Sequence, residues 1–160
     1  MRIEYKLAEL GLLLPEQLRL PPGVFLPFPW VRVHGNRAYV SGHGPLNSDG
    51  TLAGPFGKVD VDVTPEQGYV AAKLTALAVL ASLQRELGNL DRVTAWLRVF
   101  GMVAASPGFG TAPAVINGFS DLILQLWGPD AGSHARSAIG VAELPFGIPV
   151  EIEAEVAIAG

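Results

Sequence analysis

Apolar residues recur at helical spacing in three stretches of the chain, and they alternate with polar residues or cluster as β-formers in six more. Ile3, Leu7 and Leu10 share one face of a short amphipathic helix over 2–10, with Glu4 and Lys6 off that face and Gly11 as its stop. Thr64-Pro65-Glu66-Gln67 reads as a helix start, with Thr64 as cap, Pro65 at the first helical position and Gln67 completing a capping box. That helix runs to Leu87, where Gly88 suits the left-handed ending, and its apolar stripe is broader than a surface helix needs. Val115, Phe119, Leu122 and Leu126 place a third helix over 114–127, ended by Gly128-Pro129.

The β segments are Trp30–Val33, Ala38–Ser41, a short half-exposed Lys58–Val63, a long Val93–Val103, Ser137–Leu144 and Val150–Ile158. His34-Gly35-Asn36-Arg37 suits a tight hairpin between the first two, and the last two flank Pro145-Phe146-Gly147-Ile148-Pro149 as a C-terminal hairpin. The order ββ(β)αβαββ argues for an α+β fold, one mixed β-sheet with two helices on one face. Residues 1–26, a short helix followed by a Pro-rich segment, read as an extension laid on a domain spanning 27–160.

Composition sharpens this picture. Of 160 residues, 49% are hydrophobic and only 16% charged, against about 25% charged in ordinary domains. Disorder is excluded, and the apolar excess together with a bare sheet face points to a subunit interface. With 11 basic and 15 acidic residues and a net charge of −4, the chain is poorly suited to nucleic acid. Cysteine is absent, which excludes thiolate catalysis, disulfides and Cys-ligated zinc. The charged N-terminus lacks a signal-peptide core, and the longest clean apolar stretch, Ala76–Ala81, is far short of a membrane span. A cytoplasmic location is the default expectation.

The standard catalytic motifs are missing, and His34, His43 and His134 have no metal-ligand spacing. The informative region is the end of the chain. Glu151, Glu153 and Glu155 alternate with Val150, Ile152, Ala154 and Val156, so the three carboxylates share one strand face about 7 Å apart. They form either a solvated outer face or a set of which at least one enters a wet pocket as acid, base or acceptor. Arg136, just before Ser137, stands across the expected hairpin and suits either a carboxylate ligand or a salt bridge to one of these glutamates.

His134-Ala135-Arg136-Ser137-Ala138-Ile139-Gly140-Val141-Ala142-Glu143-Leu144-Pro145, followed by Val150-Glu151-Ile152-Glu153-Ala154, resembles the terminal signature of the RidA/YjgF family, the reactive intermediate deaminases also called L-PSP endoribonuclease-like proteins. Ala38-Tyr39-Val40-Ser41-Gly42-His43-Gly44-Pro45 is similar to the family's strand ending in Ser-Gly-Gln-x-Pro. Val115–Leu122 and the Pro-rich extension look like the chorismate mutase-like subgroup. The resemblance covers about residues 28–158.

It implies a homotrimer of chorismate-mutase-like fold with clefts between subunits and neither cofactor nor metal. Arg136 falls on the arginine that grips a substrate carboxylate, and Glu151 on the glutamate that handles the water hydrolysing an enamine or imine. Ser41 and Asn117 match pocket residues. Phe28 stands where the family has a tyrosine, Ala138 where a cysteine is frequent and His43 where glutamine is usual. The expected function is hydrolysis of an enamine or imine of a small carboxylate metabolite. The alternative is a trimer that binds small carboxylates without turnover; acidity and the lack of a basic stripe weigh against a nuclease.

Overall fold

Eight main elements follow one another along the computed structural model, which describes residues 1–160. They are α1 (Arg2–Glu9), β1 (Val31–His34), β2 (Arg37–His43), α2 (Pro65–Leu87), β3 (Val93–Ala104), α3 (Ala112–Ala131), β4 (Ala135–Val141) and β5 (Val150–Ile158). The strands form one sheet in the order β1-β2-β5-β3-β4, antiparallel except for the parallel pair β3–β4.

The α2 start follows its sequence signature. The Thr64 hydroxyl accepts from the Gln67 amide at 3.1 Å, and the Gln67 side chain accepts from the Thr64 amide at 2.9 Å. Gly88 closes the helix with φ of 81°, a left-handed conformation that costs glycine little. Most of α2 between Ala71 and Leu83 is buried, because the helix packs on the sheet and, alongside, against α3. A Cβ on Gly118 of α3 would collide with the Tyr69 carbonyl, so the two helices approach backbone to backbone there.

One core serves the whole chain. Trp96 stacks edge-on against Phe119 and Trp127, with centroids 5.8 and 5.3 Å apart. Ile3 and Leu7 of α1 are buried in this same cluster. The helix is pinned there by the Asp91 carboxylate, which accepts from the Arg2 and Ile3 amides. The buried strand residues Val31, Val40, Ala154 and Val99 are in register across four strands, facing the helices. The opposite face carries Tyr39, Glu155, Arg98, Phe100 and Glu153, and no helix packs on it. No helix is long and apolar enough to cross a membrane.

Four expectations change. Lys58–Val63 is a tight turn and not a strand: Asp60 takes φ of 72°, the Asp62 carboxylate caps the Lys58 amide at 3.0 Å, and Val59 and Val63 are both buried. Alternation survives there because a turn can bury its two ends as readily as a strand buries one face. The Gly128-Pro129 break is present, with Gly128 at φ 82° and ψ 176°, but the chain makes one further helical turn to Ala131. Arg136 lies inside β4 and not before it, which assigns its side chain to a definite face. The last two strands are not a hairpin. β5 inserts between β2 and β3, and β4 pairs in parallel with β3 at the sheet edge. β5 has the buried alternation of a central strand, whereas β4 is exposed or half-buried throughout.

Candidate functional site

β3 separates Arg136 from Glu151. Arg136 is level with Val99, and Glu151 with Met102. Three residues along the strands and two strand spacings across put their backbones about 14 Å apart. The odd offset also puts them on opposite faces of the sheet. The expected contact of the two across a hairpin therefore does not exist within one chain.

Arg136 points to the helix side. Its Nη1 donates to Asn117 Oδ1 at 2.8 Å and to Ser120 Oγ at 3.1 Å, and its Nη2 donates to the Pro113 carbonyl at 3.3 Å. Asn117 and Ser120 are a helical turn apart on α3, which is why one guanidinium reaches both. None of these acceptors is charged, and the chain's three ion pairs do not include Arg136. Within one chain Arg136 therefore forms no salt bridge to the glutamates of β5.

Ser120 carries the contact further. Its hydroxyl is 2.8 Å from His134 Nε2, and His134 Nδ1 is 2.7 Å from the Gly132 carbonyl. A carbonyl only accepts, so Nδ1 holds the proton and Nε2 accepts from Ser120. Burial lowers the His134 pKa, and the Arg136 charge adds to that effect against the opposing hydrogen bond to Gly132.

The same series occurs elsewhere in the molecule. Arg85 donates to Ser82 Oγ at 3.1 Å, Ser82 lies 2.8 Å from His43 Nε2, and His43 Nδ1 lies 2.6 Å from the Ser41 carbonyl. Burial pushes the His43 pKa down to about 4, helped by the Arg85 charge and opposed by the Ser41 hydrogen bond. His43 reaches α2 because β2 bulges between Val40 and His43, which turns its ring toward Ser82.

Glu151 sits where β5 begins, over Gly42, and any Cβ at position 42 would strike its carboxylate. It makes no hydrogen bond within the chain and is half-buried. Burial raises its pKa, and the neighbouring Glu153 raises it further. Glu151, His43 and Phe28 line one cavity of about 370 Å³. Ser41 lies outside it, in a groove of about 400 Å³ on the open sheet face with Glu153 and Arg98, its hydroxyl donating to the Pro29 carbonyl at 2.8 Å. Ala138 is half-buried beside Gly101 and lines neither cavity. Glu155 is ion-paired with Arg37 at 2.6 Å.

Six of the seven expected residues thus fall into three places, Arg136 with Asn117, Glu151 with His43 and Phe28, and the Ser41 side chain in the open-face groove, while Ala138 joins none of them. Sequence reasoning missed Ser82, Arg85, Ser120 and the bonded role of His134. A polar residue at i and an arginine at i+3 inside the otherwise apolar α2 stripe was the available signal for Ser82 and Arg85.

Residues 4–148 match the family model described as "YjgF/chorismate_mutase-like, putative endoribonuclease". The chain belongs to the YjgF/chorismate mutase-like family. Protein TCP17 of Trypanosoma cruzi is 42% identical over 120 residues, which is 75% of this chain and 74% of that protein. The protein Atu1372 from Agrobacterium tumefaciens is 38% identical, with a TM-score of 0.86 over 98% of this chain and 92% of that one. RidA from the Antarctic bacterium Psychrobacter shares the fold at 20% identity, with a TM-score of 0.57 over 89% and 99% of the two chains. The single mixed sheet of five strands with its helices is the YjgF fold.

Proposed function

We propose that this YjgF-family protein is a cofactor-independent enamine/imine hydrolase that acts on a small carboxylate metabolite in clefts between the subunits of a homotrimer. The observation that carries this reading is a guanidinium held in place by three neutral oxygens with no carboxylate of its own. Such a group is a preorganised partner for an acid, because its fork already faces in a fixed direction. Glu151 has the complementary property: a carboxyl whose pKa is raised by burial, and which no donor engages. One chain holds the two on opposite faces, so a reacting molecule meets both only where Arg136 of one subunit approaches Glu151 of another.

The chemistry follows from those two groups. An enamine takes a proton on carbon and becomes an iminium ion, whose carbon is electrophilic. Arg136 holds the adjoining carboxylate, which fixes that carbon relative to Glu151. Glu151 accepts a proton from water as the oxygen bonds to carbon, giving a carbinolamine. It returns the proton to nitrogen, takes up the hydroxyl proton as the carbon–nitrogen bond breaks, and a keto acid and ammonia leave.

The test is release of ammonia and keto acid from enzymatically generated imines of several amino acids. Release above the uncatalysed rate, abolished by Arg136→Ala and only partly retained by Arg136→Lys, is expected, since an ammonium lacks the planar fork. The second reading, carboxylate binding without turnover, is favoured by Phe28, which lines the Glu151 cavity without offering a hydroxyl. Carboxylate binding with no release above background would select it.

A further inference from the structure

Pro113, Asn117 and Ser120 are spaced at helical intervals, so they share one face of α3, and Arg136 reaches all three. Beyond the helix the chain lies flat against its end: a Cβ on Gly132 would collide with the Gly128 carbonyl. His134, two residues further on, is thereby returned to the Ser120 side chain, with Nε2 at 2.8 Å from the hydroxyl. Ser120 is buried, which keeps bulk water from competing for that hydroxyl.

The hydrogens in this series leave little freedom. Arg136 uses both Nη1 hydrogens, on Asn117 and Ser120, and one Nη2 hydrogen, on the Pro113 carbonyl. Nε–H and the other Nη2–H have no partner in the chain, and a carboxylate has an oxygen for each. Ser120 has a single hydroxyl proton. It can go to His134 or, as for many serines inside helices, back to the carbonyl four residues earlier, that of Ile116. His134 decides between the two. Its Nδ1 proton is committed to the Gly132 carbonyl at 2.7 Å, so Nε2 is a bare acceptor aimed at Ser120. Burial and the Arg136 charge outweigh the Gly132 hydrogen bond and keep the ring mostly neutral at pH 7; Arg136 is the one charged group that acts on it. With its proton on Nε2, the Ser120 oxygen can only accept from Arg136.

We propose that His134 is a positioning residue for carboxylate binding: acting through Ser120, it fixes the direction in which Arg136 presents its free N–H groups. This role rests on the reading of Arg136 as a carboxylate partner, and it holds whether or not the bound acid is turned over. His134 needs no contact with the ligand, because its effect passes through one hydroxyl.

Propionate, titrated by calorimetry into the full-length protein at pH 7.5, is the probe. His134→Leu, which removes the acceptor, and Ser120→Ala should each weaken propionate about tenfold, the scale of one hydrogen bond to a charged group. The double variant should weaken it no further than either alone, because both act on one contact, whereas two separate packing defects would multiply to about 100-fold. His134→Gln, whose amide can donate to Gly132 and accept from Ser120, should restore most of the affinity. Nitrogen-15 magnetic resonance of the parent should find His134 protonated on Nδ1 and bare on Nε2, a readout that needs no variant to fold. Unchanged affinity in His134→Leu, multiplied losses in the double variant, no rescue by glutamine, or the opposite tautomer would each overturn the positioning role while leaving the carboxylate site at Arg136 in place. Failure of the parent to bind propionate would overturn the reading of Arg136 and the role of His134 with it.

Discussion

Acidification should weaken the fold through His43 in a window set by its burial. The ring is 6% exposed, and both of its nitrogens are engaged. Nδ1 donates to the Ser41 carbonyl, and Nε2 accepts the proton of the Ser82 hydroxyl, whose lone pair already faces Arg85. A second proton on the ring would displace the Ser82 hydrogen and add a buried charge beside a guanidinium. The unfolded ring titrates near 6.5 and the folded ring at about 4. Between those values the unfolded chain binds more protons than the folded one, so stability rises with pH through the window and is lost on acidification. At about 1.4 kcal/mol per tenfold, His43 costs the fold about 2 kcal/mol at pH 5 and about 3 kcal/mol by pH 4, relative to pH 7.5. His134 acts in the same direction, and Glu151, with its raised pKa, acts in the opposite one. His43→Gln isolates the contribution, because an amide can donate to Ser41 and accept from Ser82 without titrating. Urea unfolding at one fixed protein concentration, at pH 7.5 and pH 5, measures it. The parent should lose about 2 kcal/mol more than the variant over that interval. Equal losses in the two proteins, or a His43 pKa near 6.5 by nuclear magnetic resonance, would refute the reasoning.

The remaining predictions bear on Glu151 and on assembly. Glu151→Gln should keep carboxylate affinity while imine turnover falls about 100-fold or more, the scale of a positioned general base, and Glu153→Gln should leave turnover nearly intact. Parental turnover in Glu151→Gln would remove this carboxylate from the mechanism. Gly42→Ala removes no polar group but displaces the flexible Glu151 carboxylate; turnover should fall by up to about 100-fold with little change in melting temperature. Light scattering should find three copies of the 16.9 kDa chain in solution, and a stable monomer at micromolar concentration would dismantle the intersubunit site.

What was legible in the sequence is what depends on neighbours a few positions apart. Thr64, Pro65 and Gln67 form the α2 start because a capping box closes within four residues. The alternation in Val150–Ile158 is enough to make a strand with one buried face and its glutamates on the other. The family motifs identify Arg136 and Glu151 as the residues to follow, and the low content of Lys and Arg argues against a polyanionic ligand. Strand neighbours were not legible there. Alternation states that β5 has a buried face, but it does not state that β5 enters between β2 and β3 and so parts Glu151 from Arg136. The single residue that shifts register between Val40 and His43 carries no composition signal, yet it turns His43 onto Ser82 and Arg85 from a helix 39 positions away. The cavity under Leu20 and Val24 is likewise a property of tertiary packing: its walls come from residues between 17 and 151, brought together by hydrogen bonds from 16–19 to 48–50. Local pattern determines what each segment is, because its energetics close within a turn or a strand. Which charges stand alone in an apolar cavity depends on contacts between segments distant in sequence, and only the folded chain decides them.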